Sequence, residues 1–456
     1  MEPGTGKTWI AINLWGRLWY RKDVRRVLYV GPRPVLSTIA EEINKHLHPM
    51  VQRKVVVLAG HRMKLKKKKQ ILSDLKRGSK YLTIVLINYE SAWRLKKELS
   101  NWGPHVITAD ESHKIKRYSS KQTRGMLALA PRAQYRQILT GTAITKNHLD
   151  IREQWRFMVG PRNYPNRHWV RINDFRDWYA RRDIFGRVRK LRHVKEMRKI
   201  IRSQAIVLTK EDCLDLPEKI YQTIHVDLDP ATVKIYKEMA EHMYTELITA
   251  QAEDPIIATA SIVLVMRLRL SQITSGFIKD EDGGEREIGD EKYKALQQLV
   301  ESIVLENQRK LVVFTRFNHE LRRIEALLTK MGLSFATISG SVDDDTRDRA
   351  RMEFQERTDP RVLLVNVQTG GLGITLTAAR EAVFFNIPQG LDHYIQAQDR
   401  IHRIGQEHKV TYYNLIGRGT IDEETLKALE TKKDIADVIL GDPSKLLYKE
   451  YLIDNS

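Results

Sequence analysis

Cysteine is nearly absent: Cys213 is the only one in 456 residues. That excludes a disulfide framework and any cysteine-rich zinc module within the chain, and it fits a reducing interior. Long apolar runs are missing too. None approaches the roughly 20 residues that span a bilayer, and no signal-peptide pattern opens the chain, so no membrane partner is expected. Negative charge is in short supply, with 57 Asp and Glu against 77 Lys and Arg, a formal net charge of +20. The surplus points to a polyanionic partner, nucleic acid foremost. It is concentrated at Lys64–Lys69, Arg181–Arg192 and Arg322–Arg323, although the first run reads equally well as a solvated helix face. With 42% hydrophobic and 29% charged residues, the chain is globular and long enough for two or three domains.

What is present begins at the first residues. Gly4-Thr-Gly-Lys-Thr8 carries the residue types that triphosphate binding needs. Gly4 and Gly6 allow a tight turn that points backbone N–H groups, Thr5 included, at phosphate oxygens. Lys7 reaches the β- and γ-phosphates, and the Thr8 hydroxyl can hold Mg²⁺. The apolar run Trp9–Leu18 reads as the following helix, its positive end toward the anion. In such domains a buried strand feeds the loop, and none stands ahead of Met1. The expectation is that this strand was lost by truncation or is supplied by another polypeptide.

Short apolar runs then alternate with helical stretches. Strands are expected at Val27–Val30, Lys54–Leu58, Thr83–Ile87, Val106–Ala109, Gln137–Leu139 and Ala205–Leu208, with helices at Val35–His46 and Leu65–Arg77. This is the pattern of a parallel sheet covered on both faces. Residues 155–201, rich in Trp, Tyr and Arg, break the rhythm and read as a helical insertion. After a turn at Leu216–Lys219 comes a mostly helical protrusion, about 230–278, then a polar loop, Lys279–Glu291. A second strand series follows: Lys310–Phe314, Phe335–Ile338, Arg361–Val365, Glu381–Phe385 and Val410–Tyr413.

Asp110-Glu111 closes an apolar strand, the place where ligands bind in open parallel sheets. Asp110 suits Mg²⁺ coordination and Glu111 suits polarising the attacking water. Near the far end, Gln396-Ala-Gln-Asp-Arg-Ile-His-Arg-Ile-Gly-Gln406 places Arg400 and Arg403 three apart, on neighbouring positions of a helical turn. An arginine directed at the γ-phosphate from a second lobe would stabilise transition-state charge.

These stretches together resemble the superfamily-2 helicase-type motors, and within them the SNF2 (Swi2/Snf2) group of DNA-dependent ATPases. The similarity runs in order through Gly4–Thr8, Gly31–Leu36, Ile87–Glu90, Asp110-Glu-Ser-His113, Leu139–Thr142, Val207–Lys219, Val313–Arg316, Gln368–Thr375 and His402–Gln406. The resemblance implies an α/β fold of two RecA-like lobes, residues 1–218 and 219–456, with ATP and Mg²⁺ bound between them. It implies an ATP site of Gly4, Thr5, Gly6, Lys7, Thr8, Asp110 and Glu111, with Arg400 and Arg403 as candidate fingers and Arg403 the preferred one. His113, Thr140, Thr142 and Gln396 would couple hydrolysis to lobe movement. Pro32 to Ser37, Asn88, Tyr89, Thr315, Arg316, Thr369, Gly370 and Gly371 would track a DNA backbone.

Two departures stand out: Pro3 where the family often has Met, and Ile387-Pro-Gln-Gly390 in place of the usual Trp-Asn-Pro. The absence of accessory modules resembles phage and bacterial members more than nuclear remodellers, which favours a cytoplasmic setting over the nucleus. The function so implied is an ATP-dependent DNA translocase, with duplex DNA favoured over single strands. The alternatives are a strand-separating DNA or RNA helicase and a catalytically silent DNA- or partner-binding remnant.

Overall fold

The computed structural model describes residues 5–22, 24–58, 63–75, 80–145, 148–160, 163–182, 188–208, 210–253, 257–279, 284–340, 342, 344–367 and 374–440. The chain divides into two compact units, the first built mainly from residues up to Asp215 and the second mainly from Leu216 to Glu430.

In the first unit α1 (Lys7–Lys22) leads to β1 (Arg26–Gly31), α2 (Leu36–His46), β2 (Arg53–Val57), α3 (Leu65–Asp74) and β3 (Leu82–Asn88). Then come α4 (Tyr89–Arg94), α5 (Lys96–Trp102), β4 (Val106–Asp110), α6 (Lys121–Leu129) and β5 (Tyr135–Leu139). The strands form one parallel sheet in the order β2-β3-β1-β4-β5. Successive side chains of a strand face opposite ways, so an apolar run buried on both faces needs cover on both. Leu28, Val30, Val85, Ile87 and Ile107 pack with Ala92, Leu99 and Met126 from α4, α5 and α6 on one face. Their strand neighbours Val27, Tyr29, Ile84, Leu86 and Val106 pack with Ile12, Trp15, Leu36 and Ile43 from α1 and α2 on the other.

Beyond β5 lie α7 (Leu149–Val159), α8 (Ile172–Tyr179), the antiparallel pair β6 (Ala180–Arg182) and β7 (Val188–Leu191), α9 (Val194–Arg202) and α10 (Lys210–Cys213). Trp155, Trp169, Phe175 and Tyr179 fill a separate core here. Two expectations are corrected in this region. The insertion is not wholly helical, because β6 and β7 form a hairpin. Ala205–Leu208 forms no strand, and Ile206 is 68% exposed. An apolar run becomes a strand only where a neighbour completes its hydrogen-bond ladder, and composition alone does not supply one.

The second unit opens with β8 (Lys219–Val226), α11 (Pro230–Glu253), α12 (Ile257–Thr274), the antiparallel pair β9 (Phe277–Lys279) and β10 (Glu285–Glu287), and α13 (Glu291–Val300). It continues through β11 (Leu311–Thr315), α14 (Asn318–Lys330), β12 (Phe335–Ile338), α15 (Asp344–Glu356), β13 (Val362–Asn366), β14 (Glu381–Phe384), α16 (Leu391–Ile401), β15 (Val410–Gly417) and α17 (Ile421–Leu440). Its six-stranded parallel sheet runs β12-β13-β11-β14-β15-β8. One face packs on Leu296 and Val300 of α13 and Ile324 and Leu328 of α14. On the other, Phe314 stacks on Phe384 at 5.0 Å, and Phe384 meets Tyr394 of α16 at 4.7 Å.

The polar stretch read as a loop at 279–291 contains β10; residues 280–283 lie outside the described ones. β8 is not among the expected strands and follows directly on the expected turn at Leu216–Lys219. It lies at the sheet edge with half of its side chains polar, so its apolar signal is weak. A buried ion pair, Lys292 Nζ to Asp422 Oδ2 at 2.6 Å, ties α13 to the start of α17. Among the described residues no helix is long and apolar enough to cross a membrane.

Candidate nucleotide-binding site

Strand register assembles the first unit's site. Val30 lies opposite Ala109, Gly31 opposite Asn88, and Asp110 opposite Leu139. Pro32, Asn88, Asp110-Glu111 and Thr140 therefore leave the sheet side by side at the carboxyl ends of parallel strands, where such folds bind ligands.

Of the expected phosphate loop, Thr5 to Thr8 are described. Gly4 lies outside the described residues. Thr5 and Gly6 precede α1, Gly6 has φ +84°, a conformation that disfavours a side chain, and its carbonyl accepts the Ile10 N–H at 3.0 Å to start the helix. Lys7 and Thr8 are half-buried in the first turn. Trp15 holds α1 on the sheet, its indole N–H reaching Thr108 Oγ1 at 3.2 Å and Gln137 Oε1 at 3.0 Å. The Lys7 ammonium acts electrostatically on both Asp110 and Glu111, so loop and acidic pair share one site.

Two tyrosines fix Asp110. Tyr29 donates its hydroxyl to Asp110 Oδ2, and Tyr89 donates to the Asp110 carbonyl at 2.6 Å. Burial, with Asp110 adding to it, keeps the Tyr29 phenol well above its usual pKa, so it stays a proton donor. Burial and the Glu111 charge push the Asp110 carboxyl up to about 6, against the Tyr29 hydrogen bond and Lys7. Glu111 behaves in the opposite sense. Burial raises it, but His113, Lys7 and Lys114 together hold it below the usual carboxylate range. Its Oε2 lies 3.2 Å from His113 Nδ1, and its backbone takes a left-handed φ of 49°, uncommon outside glycine. Such a backbone outlier is typical of residues whose position is set by function.

Next to the pair, the buried Ser112 donates its hydroxyl to Gln154 Oε1 at 2.6 Å, while Gln154 Nε2 donates to the carbonyls of Ala143 and Asp150, each at 2.7 Å. The Thr140 hydroxyl accepts the Thr142 N–H at 3.1 Å, closing a turn rather than capping a helix. Thr142 is buried, as is His113. Of the residues read as tracking DNA, Ser37 is exposed, Pro32 and Asn88 are half-buried, and Tyr89 is buried with its hydroxyl on Asp110.

In the second unit Thr315 ends β11, Arg316 follows it, and both are buried. The Arg316 guanidinium lies 4.9 Å from the Phe317 ring centre, and its backbone N–H is held by Glu320 Oε2 at 2.7 Å. Thr369, Gly370 and Gly371 lie outside the described residues. Gln396 is half-buried on α16. Arg400 occupies the last turn of α16 and is 7% exposed, its pKa drawn down to about 10 by burial and then by Arg403. Arg403 is not on the helix. His402 (φ −87°, ψ 80°) ends α16, and Arg403 sits in the following turn with Nη1 3.2 Å from Thr375 Oγ1. The expected helical spacing of the two arginines is thus replaced by a helix end and a turn, although their charges still act on one another.

Tyr29 and Gln154 escaped the sequence reading. The only hint of Tyr29 was an aromatic amid aliphatics in a buried strand. Gln154 carried no hint, since α7 also holds Asp150, Arg152, Glu153 and Arg156.

The SNF2-related domain matches residues 1–275, and the helicase conserved C-terminal domain matches residues 291–405. The chain belongs to the SNF2-related family, and its fold is of the expected α/β class, two parallel sheets with helices on both faces. It is 26% identical over 435 residues to an uncharacterized ATP-dependent helicase of Mycoplasma genitalium, covering 95% of this chain and 39% of that protein. It is 26% identical over 432 residues to the human DNA annealing helicase and endonuclease ZRANB3, covering 92% of this chain and 36% of that one. The chain thus spans less than half the length of these relatives. Among solved structures, the Sulfolobus solfataricus SWI2/SNF2 ATPase core in complex with dsDNA aligns with a TM-score of 0.41 and 22% identity, over 99% of this chain and 90% of that one.

Proposed function

We propose that the chain is a DNA-dependent ATPase that hydrolyses ATP to ADP and phosphate and uses the cycle to translocate along DNA. The observation that carries this is the convergence of Lys7, Asp110 and Glu111 at one sheet edge, within a chain of the SNF2-related family. Lys7 and the N–H groups at the start of α1 bind the phosphates, since a helix N-terminus favours anions. Asp110 and Thr8 offer hard oxygen donors that fit Mg²⁺. One carboxylate and one hydroxyl suit an ion whose remaining ligands are phosphate oxygens and water. When bound, Mg²⁺ supplies charge neutralisation at the phosphates.

Glu111, kept ionised, orients the attacking water and accepts its proton as the bond to the γ-phosphorus forms and the β–γ bridging bond breaks. Arg403, preferred over Arg400 as the finger, supplies positive charge to the transition state. His113, Thr140, Thr142 and Gln396 relay the nucleotide state. The DNA contact set we assign is Pro32 to Ser37, Asn88, Thr315, Arg316 and residues 369–371, read without sequence preference. Tyr89 acts instead through Asp110. Duplex DNA is the favoured partner, and the single cysteine supports a reducing, cytoplasmic setting.

Steady-state ATP hydrolysis with duplex DNA, single-stranded DNA, RNA or no nucleic acid tests this reading. Stimulation chiefly by duplex DNA supports translocation. Stimulation chiefly by single strands or RNA, with strand displacement on forked substrates, replaces it with an unwinding helicase. Hydrolysis under no condition, in the chain and in a version extended upstream, leaves a silent binding remnant.

A further inference from the structure

The sheet register gives Tyr29 and Gly31 a joint role. Tyr29 lies opposite Thr108 in the β1–β4 ladder. Thr108 and Asp110 are two apart, so both face the same side of the sheet as Tyr29. Continuing the ladder puts Gly31 beside Asp110 on that same face. The Tyr29 ring crosses the position where a residue-31 side chain would stand. A Cβ on Gly31 would lie 2.8 Å from Tyr29 Cε1, closer than real Cβ contacts come, and a tight 3.2 Å from its hydroxyl oxygen, so the ring would have to shift. The ring has little freedom to yield. It is buried and meets Trp15 edge-on at 6.3 Å, and Trp15 is itself pinned to Thr108 and Gln137.

We propose that Tyr29 is a positioning residue for the metal-binding carboxylate of Asp110, and that position 31 is glycine because only glycine leaves room for that phenol to reach it. The hydroxyl donates to Oδ2 of Asp110 and so limits rotation of the carboxylate. Meanwhile Tyr89 fixes the Asp110 carbonyl at 2.6 Å, so the carboxylate is held from both its head and its backbone. A ligand carboxylate whose second oxygen is hydrogen-bonded has one orientation and not several, and such supporting partners set metal affinity. The inference rests on the assignment of Asp110 to Mg²⁺ made above.

The test is nucleotide binding as a function of Mg²⁺, read by fluorescence of a labelled ATP analogue that is not hydrolysed. Wild type, Tyr29→Phe, Gly31→Ala, Tyr29→Val and Tyr29→Val/Gly31→Ala are compared, each with a melting curve in EDTA. Tyr29→Phe keeps the ring and removes one oxygen. It should raise the Mg²⁺ concentration at half-maximal binding about tenfold or more, while leaving binding in EDTA unchanged. Gly31→Ala should reproduce that shift by displacing the ring, and should add nothing to Tyr29→Val. A merely structural role would lower the melting point without moving the Mg²⁺ midpoint. Equal Mg²⁺ midpoints for wild type and Tyr29→Phe overturn the inference while leaving the site reading intact. A wild-type chain whose nucleotide binding ignores Mg²⁺ overturns the site reading, and the inference falls with it.

Discussion

Ser112 gives its hydroxyl to Gln154, 42 residues away, across a fully buried 2.6 Å hydrogen bond. The same amide holds the Ala143 and Asp150 carbonyls, so one side chain of α7 joins the acidic motif to the segment that follows Thr142. Gln154→Leu should leave buried polar groups unsatisfied and cost about 1–3 kcal/mol, seen as a lower melting temperature. Nucleotide affinity should stay within about threefold of wild type while DNA-stimulated turnover falls further, because Lys7 and Thr8 lie outside the network.

Glu111→Gln should separate binding from chemistry. The variant cannot accept a proton, and hydrolysis should fall by about 10²–10⁴. ATP affinity by equilibrium binding should hold. A hydrolysis rate within threefold of wild type would remove Glu111 from the reaction.

The Lys292–Asp422 pair is 1% and 3% exposed, and Thr274 Oγ1 donates to Asp422 as well, at 3.1 Å. Lys292→Met leaves a carboxylate buried without its cation and should cost about 3–5 kcal/mol in urea unfolding. Adding Asp422→Leu should recover much of the loss, since two apolar side chains carry no buried charge. Recovery fails if the hydrogen bonds from Thr274 and Gly417 to Asp422 matter more than the pair itself.

His148 supplies a pH prediction away from the nucleotide site. It is fully buried, stacks on Phe175 at 5.8 Å, and burial drives its pKa down to about 4. In the unfolded chain it titrates near 6.5, so between these values the unfolded state binds more protons. Its contribution to stability is present above about 6.5 and is lost as pH falls toward 4, on the order of 3 kcal/mol in all. His148→Phe should flatten the dependence of urea-unfolding stability on pH across that window. An unchanged slope would contradict it.

Much of this was legible in the sequence, for a physical reason. Strands of a two-faced parallel sheet must be apolar throughout, so Val27–Val30, Thr83–Ile87 and Val106–Ala109 announce themselves, and polar residues just after them mark the ligand edge. Edge and isolated segments give no such signal. β8 hid behind Lys219, Gln222 and His225, while Ala205–Leu208 looked like a strand and is none. The Tyr29–Asp110 contact spans 81 positions and exists only through register. The break of α16 at His402, which moves Arg403 into a turn, depends on one backbone angle that no periodicity encodes.

The crowding between Tyr29 and Gly31 also couples the two positions. A Cβ at position 31 forces this phenol to shift, so the cost of a change at either position depends on what stands at the other, and substitutions at 29 and 31 are expected to combine non-additively.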